Sequence, residues 1–94
     1  MFGLLADKDA AAIASALDPL IDHWLLAGID DEPRALDARA LHARLPAVRG
    51  TVQLASNVSA ACARARERSV PGDRVIVFGS FHVVGPALIW LGLY

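Results

Sequence analysis

Apolar residues follow two distinct patterns along the 94-residue chain, and segments of the two patterns alternate. Short apolar runs at residues 1–5, 23–27, 51–54 and 74–78 are typical of strands that are buried on both faces of a sheet. Between these runs, apolar residues recur every three or four positions, which indicates amphipathic helices. The pattern therefore predicts four strands alternating with helices, which is typical of a mostly parallel sheet with helices on both faces.

Residues that cap helices well stand before the predicted helices. These candidate N-caps are Asp9, Asp37, either Ser56 or Asn57, and Ser80 before a last helix over about residues 81–91. The first helix has its apolar positions at Ile13, Leu17, Leu20 and Ile21. Because Met1 falls inside a predicted strand, we expect at least one earlier strand to be missing.

The composition is that of one small globular domain over residues 1–94. Hydrophobic residues make up 55% and charged residues 20%, which disfavours disorder. A net charge of −1 gives no basic surface for nucleic acid, and a single cysteine, Cys62, excludes an internal disulfide and a zinc–thiolate cluster. We expect no membrane span, because the longest apolar run, residues 83–94, is too short, and we expect a cytoplasmic location.

Ligands of open parallel sheets bind at the carboxyl ends of the strands, which selects loops 6–9, 28–36, 55–57 and 79–82. In the first, Lys8 lies between Asp7 and Asp9 and could receive an anionic group, or it is a solvated turn lysine. The residues Asp30, Asp31 and Glu32 are interpreted as a solvated loop face.

The last of these loops combines a glycine with a hydroxyl group. Gly79 allows a close approach of the backbone, and Ser80 can bind a carboxylate or phosphate, or it serves only as an N-cap. His82 is a polar ligand contact or a structural residue, and Arg34 in loop 28–36 could meet an anionic substrate. There is no phosphate-binding loop and no histidine-rich metal set, so no metal is assigned. From spacing alone, the chain is a small α/β binding domain.

Four segments resemble those of the bacterial bifunctional dihydrofolate synthase/folylpolyglutamate synthases, which are Mur ligases. Residues 2–9 (FGLLADKD) resemble "GMLxDKD", residues 22–27 (DHWLLA) resemble "VDxWYLA", and residues 77–84 (VFGSFHVV) resemble "VFGSFHTV". Pro33-Arg34 matches "PRG", with Ala35 in place of the glycine, and Val83 replaces the last threonine. The family's "DxAHNP" segment is absent. The resemblance follows the family's order over nearly the whole chain.

The resemblance implies a Rossmann-like, three-layer carboxy-terminal domain of the Mur ligase type. Such ligases use ATP and Mg²⁺ to activate the carboxylate of dihydropteroate or a folate as an acyl phosphate, which the amino group of L-glutamate attacks. The nucleotide and the metal are bound mainly by an amino-terminal domain, which this chain lacks. The isolated domain is therefore expected to hold no catalytic residue and to be inactive.

The resemblance also implies that Lys8 and Ser80 contact the carboxylates of the incoming glutamate. Asp7 and Asp9 would orient Lys8, and His82 would shape the cleft. An independent α/β module that binds an anionic metabolite or a protein partner is the alternative. A Mur ligase relative with a different acceptor is a third hypothesis, which the FGSFH segment disfavours.

Overall fold

A computed structural model describes residues 1–30 and 32–92, and its centre is a pair of parallel strands. Strand β1 (His23–Ala27) pairs with β2 (Thr51–Ala55) in register from end to end. Residues 1–5, called the first segment, lie against the other edge of β1. Residues 74–78, called the last segment, lie beyond the first segment. The order across the sheet is last segment, first segment, β1, β2, and all four run parallel.

The two outer segments are only partly strand-like. The first segment makes isolated parallel bridges from Phe2 to Leu26 and to Phe78, so the four predicted strands appear as two strands and two bridged segments. In the last segment Val75 is 50% exposed and Ile76 is 53% exposed. The expectation that this apolar run is buried on both faces is therefore wrong at these positions. Among the described residues, the first segment bonds to the last segment only from Ile76 to Phe78.

The described residues form four α-helices, each of which follows an extended segment and begins at a side-chain cap. They are α1 (Ala10–Leu17), α2 (Ala38–Arg44), α3 (Val58–Arg68) and α4 (Phe81–Trp90). The capping side chains are Asp9, Asp37, Asn57 and Ser80, as predicted, with Asn57 rather than Ser56 at α3. Each cap accepts a hydrogen bond from a backbone N–H that the helix itself cannot satisfy.

The first helix is shorter than its apolar pattern predicts. It ends at Leu17 and continues as a single 3₁₀ turn over Asp18–Leu20. Pro19 has no N–H to donate, and its ring would meet the carbonyl one turn back, so the α-helix stops before it. As a result Leu20 is 73% exposed and is not part of the helix's buried stripe.

The sheet separates two apolar clusters, which confirms the expected three layers. On one face, Phe2, Trp24 and Leu26 pack with α1 and α2. On the other face, Ala27 and Ala55 pack with α3 and α4, and Cys62 is buried there beside Met1. Burial raises the pKa of the Cys62 thiol, which is consistent with its predicted role as a small buried side chain.

None of the helices in the described part of the chain is long and apolar enough to cross a membrane. Residues 93 and 94, which end the predicted apolar run over 83–94, lie outside the described residues.

Candidate functional site

The loop after the first segment presents Lys8 at the carboxyl end of the sheet. The backbone turns tightly there, with the Lys8 N–H donating to the Leu5 carbonyl at 3.2 Å. Asp9 is occupied as the α1 cap, because its Oδ1 accepts from the Ala12 N–H at 3.0 Å. Lys8 itself is exposed, and no described residue forms an ion pair or hydrogen bond with its ammonium group. The Lys8 ammonium is therefore available to an anionic ligand.

The loop before α4 lies against the first segment. Gly79 has φ +115°, a backbone conformation that side chains with a Cβ rarely adopt. A Cβ at this position would overlap the carbonyl oxygen of Gly3 and lie 2.9 Å from the Phe2 ring. Only glycine allows the loop to approach this closely, and that approach brings Ser80 to the same rim as the loop of Lys8.

Ser80 begins α4, and its hydroxyl is already in use within the chain. The Ser80 Oγ accepts from the His82 N–H at 3.1 Å, and the Ser80 carbonyl accepts from Val83 and Val84. Ser80 is thus the N-cap of α4, as the sequence predicts, and whether it also binds a ligand stays a prediction. A hydroxyl can also donate its own proton, so a carboxylate can still bind to it at the helix N-terminus.

Loop 28–36 is fastened to the first segment by two backbone hydrogen bonds. The Ala6 N–H donates to the Arg34 carbonyl at 2.7 Å, and the Leu36 N–H donates to the Leu4 carbonyl at 3.0 Å. The guanidinium of Arg44 also donates to the Ala6 carbonyl, at 2.6 Å. These bonds place Arg34 next to the loop that carries Asp7.

Glu32 joins that loop to α4. Its Oε1 accepts from the Arg34 guanidinium at 3.0 Å and from the Arg34 N–H at 3.2 Å. Its Oε2 lies 3.6 Å from Nε2 of His82. Hydrogen bonds from Arg34 hold the pKa of Glu32 below its ordinary range, and they hold the pKa of Arg34 above its own, with a smaller contribution from Asp7. The structure therefore links Arg34, Glu32 and His82 along the rim through the Glu32 carboxylate, with Asp7 close enough to Arg34 to add to its electrostatic stabilisation.

The position of Glu32 corrects the interpretation of the acidic loop as a solvated face. Only 14% of its side chain is exposed, whereas Asp30 is exposed and Asp31 lies outside the described residues. The sequence contains a local signal, because Glu32 and Arg34 are two residues apart and Pro33 between them restricts the backbone. The contact to His82 joins residues 50 positions apart and has no local signal.

The arrangement also shows what the candidate site does not contain. Neither Asp7 nor Asp9 bonds the Lys8 ammonium, and no bond between described residues joins Lys8 to Ser80. Lys8 and Ser80 thus stand on one rim without a direct link. Within residues 1–30 and 32–92 there is no group of three or more His, Cys, Asp or Glu side chains that could hold a metal ion.

The ion pair at Glu32 predicts a pH dependence of stability. A carboxylate with a lowered pKa stabilises the fold at any pH above its ordinary pKa, 4.5. This contribution is lost as the pH falls through the lowered pKa. We expect Glu32→Gln to melt lower than the wild type at neutral pH and to lose less stability on acidification. Melting temperatures from pH 7 to pH 3 test this, with Glu67→Gln, an exposed site on α3, as the control. Parallel pH curves for Glu32→Gln and the wild type would contradict it.

Comparisons with known proteins give one family and one curated relative. The family described as "Mur ligase, glutamate ligase domain" matches residues 1–81. The chain is 33% identical over 85 residues to the dihydrofolate synthase/folylpolyglutamate synthase of Haemophilus influenzae, a match that covers 87% of this chain and 19% of the relative. The chain thus spans about a fifth of the length of this relative. No solved structure matches.

Proposed function

This chain belongs to the family of Mur ligase glutamate ligase domains, and from that membership we propose that it is the amino-acid-side domain of an ATP-dependent ligase. The match to the Haemophilus influenzae dihydrofolate synthase/folylpolyglutamate synthase supports L-glutamate as the incoming amino acid and dihydropteroate or a folate as the acceptor. In such a reaction ATP converts the acceptor carboxylate to an acyl phosphate. The glutamate amine then attacks it, giving an amide, ADP and phosphate.

The observation that carries this proposal is the pair of anion-binding groups on the rim. Glutamate presents two carboxylates, and the rim offers the hydroxyl of Ser80 at the start of a ten-residue helix and the ammonium of Lys8, which pairs with no described residue. The α4 dipole adds partial positive charge where a carboxylate would meet Ser80. The contacts of Glu32 with Arg34 and His82 join loop 28–36 to α4 beside these two groups, and Gly79 permits the close approach of the loop before α4 to the first segment.

We assign ATP and Mg²⁺ to the rest of a whole ligase, with this domain closing over the cleft. The sequence has no phosphate-binding loop, and the described residues offer no metal-binding cluster, so they do not fit either group. Closure would keep water from the acyl phosphate and hold the amine in line for attack. On this proposal the isolated domain neither hydrolyses ATP nor forms dihydrofolate, and turnover by the isolated domain would refute it.

Lys8→Ala in a whole ligase carrying this domain is expected to raise KM for L-glutamate by about 10- to 100-fold, because a charge-assisted bond worth roughly 1.5–3 kcal/mol is lost. Steady-state kinetics with glutamate as the varied substrate measure the effect. Lys8→Arg should recover part of the affinity by keeping the charge. Arg39→Ala, which removes an exposed cation on α2, is the matched control. An unchanged KM and kcat in Lys8→Ala would show that Lys8 is only a solvated turn residue.

Ser80 requires a pair of variants, because its hydroxyl caps α4 in either case. Ser80→Ala should lose about 1 kcal/mol of stability and also raise the glutamate KM. Ser80→Asp restores a cap, but its charge repels a carboxylate, so we expect recovered stability with a still higher KM. Melting temperature and kinetics on the same samples separate the two roles. A normal KM in Ser80→Asp would reduce Ser80 to a cap.

A further inference from the structure

The carboxylate of Glu32 uses one of its oxygens within its own loop and turns the other toward α4. The Arg34 N–H and the Arg34 guanidinium both donate to Oε1. The second oxygen, Oε2, accepts no hydrogen bond from a described residue and lies 3.6 Å from Nε2 of His82. Because hydrogen bonds from Arg34 hold the pKa of Glu32 below its ordinary range, this side chain is a carboxylate at neutral pH. A fixed negative charge therefore faces the imidazole of His82.

His82 combines this charged partner with access to solvent. It lies in the first turn of α4, where side chains lean toward the amino end of the helix and hence toward the rim. Its side chain is 44% exposed, and Glu32 is the charged group that lies within ion-pair distance of it among the described residues. The cation of α3 that meets α4, Arg66, lies over Trp90 at the far end of the helix. The ring nitrogen Nδ1 bonds no described residue, so it can accept a proton from a ligand.

A series of contacts places Glu32 and His82 between the two predicted carboxylate receptors. The loop that carries Lys8 bonds to the Arg34 carbonyl, and Arg34 bonds to Glu32. Glu32 meets His82, whose N–H donates to the Ser80 hydroxyl at 3.1 Å. L-Glutamate carries its amino group on the carbon chain that joins its two carboxylates. A glutamate held by both receptors would therefore present its amine along the part of the rim that Glu32 and His82 occupy.

The incoming amine has a chemical requirement that the two receptors do not meet. At neutral pH it arrives as an ammonium ion, which has no lone pair with which to attack an acyl phosphate. A base must remove a proton before the attack. Lys8 is a cation and Ser80 is a neutral hydroxyl, so neither of them can serve as that base. An imidazole can, and a neighbouring carboxylate stabilises the imidazolium that results.

We propose that His82 is the base that takes a proton from the amino group of the incoming glutamate, and that Glu32 is the residue that positions it. Nδ1 of His82 accepts the proton, and the freed lone pair of the amine forms the amide bond to the acyl carbon. The phosphate leaves with the electrons of the broken C–O bond and takes the second proton of the nitrogen, while His82 returns its proton to water. The inference rests on the proposed ligase reaction, so His82 would act only in a whole ligase.

The test compares two nucleophiles in a whole ligase that carries this domain. Glutamate arrives protonated, whereas hydroxylamine is already neutral at neutral pH and traps the same acyl phosphate as a hydroxamate without a base. His82→Gln keeps a polar side chain that cannot take up the proton. His42→Gln, the same replacement of an exposed histidine on α2, is the matched control. Glu32→Gln tests the positioning role, and the melting temperature of each variant shows that it is folded.

For His82→Gln we expect kcat with glutamate to fall by about 100-fold at neutral pH. The glutamate KM should stay within about threefold of the wild type, because the carboxylate receptors are intact. The loss should shrink as the pH rises, since more of the glutamate then arrives with a neutral amine. Hydroxamate formation should stay within about twofold of the wild type. Glu32→Gln should show a smaller loss with the same pH trend and the same difference between the nucleophiles.

Two results would overturn the inference. In the first, His82→Gln has the same kcat with glutamate as His42→Gln. In the second, the rates with glutamate and hydroxylamine fall equally, because His82 would then act on the fold or on formation of the acyl phosphate. Failure of the proposed ligase function is a separate result, in which the wild type forms no hydroxamate. A raised glutamate KM in Lys8→Ala together with a normal kcat in His82→Gln would keep that function and reject His82 as the base.

Discussion

Replacing Gly79 with alanine is expected to lower the free energy of unfolding by about 3 kcal/mol or more. Two costs combine at this position. The backbone has φ +115°, and the new Cβ would overlap the Gly3 carbonyl oxygen, a backbone atom that cannot rotate away. Relief would require the α4 loop to move off the first segment. Chemical denaturation measures the loss, which corresponds to a fall in Tm of at least about 12 °C.

Gly72 provides the matched control for this prediction. It also has a positive φ, +98°, but nothing lies within 4 Å of a Cβ built there. Gly72→Ala should therefore cost only the conformational part, about 1–2 kcal/mol. The difference between the two variants measures the steric contact with Gly3. Equal losses at both positions would mean that the α4 loop is not pressed against the first segment.

Phe2→Ala is expected to lower the free energy of unfolding by about 3–5 kcal/mol. The Phe2 side chain is fully buried, and its ring stacks on Phe78 with 4.7 Å between centroids. It also meets the edge of Trp24 at 6.1 Å. Removing the ring leaves a cavity between these neighbours, in a domain whose total stability is typically about 5–15 kcal/mol.

Phe81→Ala is the control for Phe2→Ala, because the same truncation occurs at a side chain that is 91% exposed. We expect its effect to stay within about 0.5 kcal/mol. If Phe2→Ala does not fold, Phe2→Leu keeps most of the volume and should still melt below the wild type. Similar denaturation midpoints for Phe2→Leu, Phe81→Ala and the wild type would show that the aromatic cluster does not hold the sheet together.

Local chemistry explains which parts of the fold were predictable from the sequence. Each N-cap depends on one side chain and an N–H two or three residues later, so Asp9, Asp37 and Asn57 could be recognised directly. The end of α1 is not predicted by the apolar spacing, because that spacing continues to Leu20 beyond Pro19, and the proline outweighs it.

The exposure of the last segment differs from the prediction for another reason. Val75 and Ile76 have strong strand propensity, but burial of a strand depends on its neighbours on both sides. Met1 and Phe2 are the residues of the first segment that bond to the last segment, and Val75 and Ile76 are half exposed. A propensity pattern cannot reveal this exposure, because it depends on the register between segments more than 70 residues apart.

The candidate site also has features that could be predicted from the sequence and features that could not. Strand-end loops and the N-cap at Ser80 follow from the sequence, and resemblance to a ligase family added the roles of Lys8 and Ser80, which stay predictions. The contact between Glu32 and His82 could not be predicted, because it depends on how loop 28–36 is fastened to the first segment. The close approach of the loop before α4 to the first segment, which requires Gly79, likewise cannot be predicted from the sequence.

The bond between Met1 and Ile76 has a consequence for how the chain is made. The two residues are 75 positions apart, so the first segment is synthesised 75 residues before the segment that pairs with it on that side. At about 5–20 residues per second, a ribosome needs roughly 4–15 s to cover that distance. During that time the Phe2 ring has no Phe78 to stack on and is a ready contact for a chaperone. Folding of this domain is therefore expected to be completed only after most of its chain has left the ribosome.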